Sequence, residues 1–161
     1  MRFFCFILVL AIIMSGVSCG ANNKPCIDIL NEITDGVEKL PAGKIYRSQS
    51  EAGTDGYFTD SMRNAMYGED SERYFSLMEE YALFASSSGV PCEIAVFKCY
   101  SATDARSVEF MCRNRAQLLV VALNGTGFSE LCDEISVIRE GRYVVFVMAE
   151  GYEGKPQRAV K

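Results

Sequence analysis

Hydrophobic and polar positions divide the chain into stretches of different rhythm. Residues Phe3 to Met14 form an unbroken apolar run behind the single cation Arg2, and the small-residue stretch Ser15-Gly16-Val17-Ser18-Cys19-Gly20-Ala21 follows. That order of charge, apolar run and small residues predicts a secretory leader over residues 1–18. The apolar run is shorter than the roughly 20 residues a membrane-spanning helix needs. Beyond it, Ile29, Leu30, Ile33, Val37 and Leu40 recur at helical spacing until Pro41, so residues 27–40 are expected to form an amphipathic helix. From Ala42 to Glu72 the rhythm is lost. Gly53-Thr54-Asp55-Gly56 and Tyr67-Gly68-Glu69-Asp70 are turn-like, flanking a short helix near Thr59 to Met66.

The second half is more regular. Glu80–Ser86 and Glu93–Tyr100 are rich in strand formers, joined by the hairpin-type loop Ser87-Ser88-Gly89-Val90-Pro91. In the second run Ile94 and Val96 share one face while Ala95 and Phe97 share the other, the mark of a central strand. Ser101 and Asp104 resemble a capping box, and Ala105, Val108, Met111, Cys112, Leu118, Leu119 and Ala122 draw an apolar stripe along the helix that follows. After Asn124-Gly125-Thr126-Gly127 and a helical turn at Glu130–Asp133, two strands, Glu134–Arg139 and Tyr143–Ala149, flank the turn Glu140-Gly141-Arg142. The expected fold is α+β: an antiparallel sheet of about four strands (β-β-α-β-β) with helices packed on one face, preceded by an N-terminal helix and an irregular helical segment. One domain is expected over residues 22–150, with a frayed tail at 151–161.

Two processing routes fit the leader. Gly16-Val17-Ser18-Cys19 resembles the lipobox of bacterial lipoproteins, with lipidation at Cys19; Gly16 stands where a leucine is usual. Cleavage after Ala21 at the small-x-small site Cys19-Gly20-Ala21 would instead release a soluble product. Two acyl chains on Cys19 would anchor the chain to the outer face of the cell membrane, a hold that one chain does not give.

Loss of 18 of the 161 residues leaves 143, enough for one core. Arg2 leaves with the leader, so 15 of the 16 cationic side chains remain against 21 Asp and Glu, a net charge of −6. This balance argues against nucleic acid as a partner. Arg106, Arg113 and Arg115 share the long helix and read as a solvated face. Cys26, Cys92, Cys99, Cys112 and Cys132 are odd in number, so they cannot all pair within one chain. Cys92 and Cys99 stand at opposite ends and on opposite faces of one strand and cannot bridge. Buried thiols are expected, with a disulfide involving Cys132 left open.

Histidine is absent. This removes the histidine-assisted nucleophile and His-containing zinc or haem sites. The cysteine spacing contains no Cys-x-x-Cys knuckle, so neither metal nor cofactor is expected. Gly125-Thr126-Gly127 and Gly151-x-x-Gly154 are turns, too short for phosphate loops. No calcium-hand loop occurs. The carboxylate pairs Glu79-Glu80, Glu69-Asp70 and Asp133-Glu134 are adjacent residues, and neighbours on a strand point to opposite faces, so they read as solvated edges. No catalytic residue is assigned. Tyr57, Phe58, Tyr67 and Tyr74 are the candidate binding surface; the competing reading has these aromatics closing a small core beneath a loop.

Tyr81-Ala82, Glu93-Ile94-Ala95-Val96-Phe97-Lys98, the helix start Asp104-Ala105-Arg106-Ser107-Val108 with Arg115, and Gly141-Arg142-Tyr143-Val144 resemble a family of Gram-positive bacterial lipoproteins catalogued as domain of unknown function 4358. The likeness spans about residues 26–150, except Ala42 to Glu72. It implies a small extracytoplasmic lipoprotein and assigns no functional residue. The expected function is a non-catalytic binding or accessory module of the cell envelope, with a protein, peptide or cell-wall partner. The alternative is an enzyme with a histidine-free cysteine or carboxylate centre, for which Cys99 is the candidate nucleophile. An accessory role in export or sporulation machinery is a third possibility.

Overall fold

In a computed structural model, which describes residues 23–152, the chain runs α1 (Cys26–Asp35), β1 (Gly43–Arg47), α2 (Asp60–Tyr67), α3 (Ser71–Phe75), β2 (Met78–Ser86), β3 (Glu93–Cys99), α4 (Ala102–Leu123), a 3₁₀ turn (Ser129–Cys132), β4 (Ser136–Glu140) and β5 (Tyr143–Met148). The leader and Cys19 lie outside the described residues. All five strands join one antiparallel sheet in the order β1-β2-β3-β5-β4. The fold is α+β.

β3 occupies the centre and is buried at every residue. Its side chains alternate between two cores, as the two-residue strand period requires. Ile94 and Val96 meet Ala82, Phe84, Val145 and Val147 under α1, whose Ile29, Leu30 and Ile33 are buried against them. Ala95, Phe97 and Cys99 face the other way, with Leu83, Val144 and Phe146, toward Ala105, Val108, Met111 and Cys112 of α4. Each of the fully buried Val, Leu, Ile, Phe and Met side chains among them stabilises the fold by roughly 1.5–3 kcal/mol before entropy is charged against it.

The sheet therefore carries helices on both faces, not on one, and has five strands rather than four. The physical reason for the first difference lies in β3 itself, since a strand apolar on both sides needs two covering layers. The additional strand is β1, within the segment expected to be irregular. It pairs with β2 from Gly43↔Ser86 to Arg47↔Ala82 and is exposed except at Tyr46, so alternation does not reveal it. Gly43 is required there. A Cβ at this position would sit 2.3 Å from the Phe84 ring and 2.6 Å from the Ala85 carbonyl oxygen.

α4 begins as its sequence indicates: the Ser101 hydroxyl oxygen accepts the Asp104 backbone N–H at 3.1 Å, and that hydroxyl donates to the Asp104 carboxylate at 2.6 Å. The buried stripe ends in Leu119 and Leu123; Leu118 and Ala122, expected within it, are exposed. α1 stops at Asp35, five residues before the expected end, with Gly36 as its C-cap. β4 and β5 meet in a two-residue turn in which Gly141 takes φ 56°, a left-handed conformation that glycine adopts without strain. At the end of the described chain, the Tyr152 ring packs beside Gly36 and the α1 core; the rest of the tail expected at 151–161 lies outside the described residues.

Candidate functional site

Sequence places four aromatics on a binding surface, and the structure separates them. Phe58 is fully buried, ringed by Tyr46, Tyr67, Phe75 and Tyr81 with centroids 5.2–6.4 Å away. Tyr67 is buried as well and stacks edge-on with Phe97 of the central strand. Neither presents a surface. Edge-to-face packing among these rings closes the core beneath the irregular segment, the competing reading of the same residues. Tyr57 and Tyr74 are half-buried, and Tyr74 leans on the same core.

Tyr67 leads to a feature the sequence did not disclose. Its hydroxyl donates to Glu93 Oε1 at 3.1 Å, and Arg115 of α4 reaches Glu93 Oε2 through Nε at 3.0 Å and Nη2 at 2.7 Å. Glu93 is almost fully buried, and Arg115 retains about one-sixth of its side-chain exposure. Burial, with the Glu93 charge adding to it, pushes the Tyr67 hydroxyl well above its usual range. Burial also opposes the charge on Arg115, but the Glu93 carboxylate outweighs it, and the guanidinium ends above its ordinary value. At neutral pH Tyr67 is therefore held as a phenol donor and Arg115 as a cation.

Glu93 and Arg115 border a cleft of about 300 Å³. Met66, Ala85, Val90, Leu119 and Met148 provide apolar wall, and Ser86 at the end of β2 and Ser88 on the β2–β3 loop add hydroxyls. An apolar concavity with a few fixed polar groups has the general make-up of a ligand pocket. Met66 comes from the segment singled out in the sequence, although the aromatics flanking it do not line the cleft.

The opposite end of the sheet is where the described chain begins. Glu80 Oε1 accepts the Cys26 backbone N–H at 3.1 Å, placing a carboxylate at the positive end of α1. Tyr143 Oη donates to the Lys24 carbonyl oxygen at 2.8 Å. Beside them an irregularity in the β2–β3 register frees Glu79 to bind Lys98 Nζ at 2.7 Å and Arg142 Nη1 at 2.9 Å. The Lys98 hydrogen bond, with Arg142 assisting, holds the Glu79 carboxyl below the ordinary carboxylate range. Glu79 and Glu80 thus serve different structural partners.

All five described cysteines are free thiols, Cys132 included, so no disulfide forms among them. Cys92 packs with the α1 core and Cys99 with the α4 core, on opposite faces. Burial raises the thiols of Cys26 and Cys112, and it pushes Cys92 up to about 11 and Cys99 up to about 12. At neutral pH Cys99 is then thiolate in only about one molecule in 10⁵, the reverse of an activated nucleophile. Among the described residues no group of three or more His, Cys, Asp or Glu is placed to hold a metal ion.

No family model, curated protein or solved structure matches the chain.

Proposed function

We propose that the chain is an exported, non-catalytic binding module of the cell envelope, held to the outer face of the membrane by lipid on Cys19. It takes an apolar group of a peptide or wall-component partner into the cleft between the β2–β3 loop and α4. The observation that carries this reading is the cleft itself, with apolar walls and a buried Glu93–Arg115 pair at its edge. Its position supports the same reading. β3 runs about 20 Å between the two ends of the sheet, so a tether preceding Lys24 leaves the cleft at the far end, open to partners beyond the membrane.

The leader and the Gly16-Val17-Ser18-Cys19 stretch support export and lipidation. The enzyme alternative has weaker support, because the buried thiols resist ionisation and Glu79 and Glu80 are each taken up by different partners.

Two measurements test the proposal separately. Mass spectrometry of the membrane fraction should recover a first peptide beginning at diacylated Cys19, and Cys19→Ala should abolish that species. An intact Met1–Met14 peptide in soluble extract would sink the location. For the cleft, a fragment library screened by NMR should yield apolar ligands that shift the Met66 and Met148 methyl resonances, with Val90→Arg at the exposed rim blocking them. Ligands that leave both methyls unmoved would remove the cleft from the proposal.

A further inference from the structure

The outward face of α4 is more apolar than a solvated helix needs. Phe110, Leu118 and Val121 are exposed, Val121 at 76%; Phe110 and Val121 stand on the side opposite the buried Ala105, Val108, Cys112 and Leu119, with Leu118 on the flank. Asn114 and Gln117 lie between them on the same face, at the three- and four-residue spacings that align side chains along a helix. We propose that this face pairs with its counterpart on a second copy of the chain, the two α4 helices lying antiparallel about a two-fold axis.

Three observations select a second copy over other occupants. The stripe is self-complementary: turned end for end about its midpoint, it sets Phe110 opposite the partner's Val121 and Asn114 opposite the partner's Gln117. Phe110 and Val121 then meet, Leu118 lies on the flank level with the partner's Arg113, and the two amides can exchange hydrogen bonds at the centre of the seam, where a polar pair fixes register.

Charge agrees with the same orientation. Exposed Arg106 lies near the N-terminal end of α4 and Arg113, which also pairs with Glu109, at its middle, whereas its last turn carries no basic residue and leads to the 3₁₀ turn with exposed Glu130, Asp133 and Glu134. The Cys132 thiol lies against the Val120 carbonyl oxygen, on the flank of α4 that also bears Arg113. In an antiparallel pair each copy's arginines therefore approach the other's acidic turn and negative helix end.

Third, both described chain ends lie in the layer across the sheet, Lys24 at the start of α1 and Tyr152 beside Gly36. A lipid surface fits the face less well. Two amides interrupt the apolar stripe, and the acidic turn beside it is repelled by anionic headgroups.

The test is a disulfide cross-link in the full chain, in membranes of producing cells. Residues 110 and 121 of one helix are about 16 Å apart along its axis, beyond the Cα separation of about 7 Å that a disulfide tolerates. With the native half-buried thiol removed by Cys132→Ser in every chain compared, the double variant Phe110→Cys/Val121→Cys cannot close on itself, and on mild oxidation it should run at twice the chain mass until reduced. Phe110→Cys alone, Val121→Cys alone and the Cys132→Ser parent should remain single, because like positions are equally far apart across the axis. Phe110 and Val121 are exposed and Cys132→Ser is a one-atom change at a half-buried site, so folding is not at stake. Single variants that cross-link as well as the double, or a double variant that stays single, would overturn the proposal. A double variant that stays single while an environment-sensitive dye at position 121 reports an apolar medium on anionic vesicles would assign the face to lipid.

Discussion

Replacing Arg115 by methionine strands the Glu93 carboxylate in a site it cannot leave. Glu93 is 4% exposed at its side chain and would retain one neutral donor, Tyr67 Oη. Breaking a buried ion pair from one side costs about 3–5 kcal/mol. The lower end applies here, because the phenol remains and the cleft admits water. A loss of about 3 kcal/mol with a urea dependence near 2 kcal/mol per molar lowers the unfolding midpoint by about 1.5 M. Glu93→Gln removes the charge but keeps an acceptor for Tyr67, and Arg115 is exposed enough to turn toward solvent, so its cost is about 1–2 kcal/mol. The double variant Glu93→Gln/Arg115→Met should be no worse than Glu93→Gln alone, a coupling of about 3 kcal/mol or more across the cycle. Urea unfolding of the four proteins at neutral pH, followed by circular dichroism, provides the measurement. If Arg115→Met costs less than about 1 kcal/mol, or if the two changes simply add, the pair is not the buried, mutually dependent unit described above.

Glu109 accepts from Arg113 and Arg139, and those hydrogen bonds hold its carboxyl below the ordinary value of 4.5. A depressed folded value means this contribution is complete above the ordinary value and is lost as pH falls through the folded one; Glu109→Gln should flatten stability against pH in that acid window, as read by thermal unfolding. Ser101→Ala removes the oxygen that caps α4 and should cost about 1 kcal/mol in urea unfolding, with no loss if the cap is idle. Gly43→Ala forces a methyl into the Phe84 ring and the Ala85 carbonyl, at a cost of about 1–3 kcal/mol; hydrogen exchange should show β1 released from β2 while β3 stays protected. In the native protein a thiol reagent should modify half-buried Cys132 first and leave Cys26, Cys92, Cys99 and Cys112 until urea unfolds the chain. Rapid labelling of Cys99 would revive the thiol-enzyme alternative.

Elements with a strong rhythm were legible before the structure. β3, the Ser101 cap and the β4–β5 turn stand where alternation, capping chemistry and Gly141 put them. β1 was not legible, because an exposed edge strand held by pairing and by a glycine under Phe84 leaves no alternation to read. Placement in layers was partly legible: β3's two apolar faces called for two covers, but nothing local to residues 26–35 says which face they cover. Of the candidate site, Glu93 looked like the polar start of a strand, and Arg115 was grouped with Arg106 and Arg113 as solvated. The available signal was position. Arg115 follows Met111 by four residues and precedes Leu119 by four, which places it on the buried stripe. Charge type drew attention away from that periodicity.

Among the described residues α1 is the one helix on its face of the sheet, and it is joined to β1 by a short run after Gly36. Any pull arriving from the N-terminal side reaches Glu80 and Tyr143 first, through bonds to Cys26 and Lys24. Those two contacts act as a mechanical clasp. Once they open, the helix can peel away without a single sheet hydrogen bond breaking, and Ile94, Val96, Val145 and Val147 are left bare. Under load the weak point is a lid one helix wide, and its release turns a folded domain into an adhesive one.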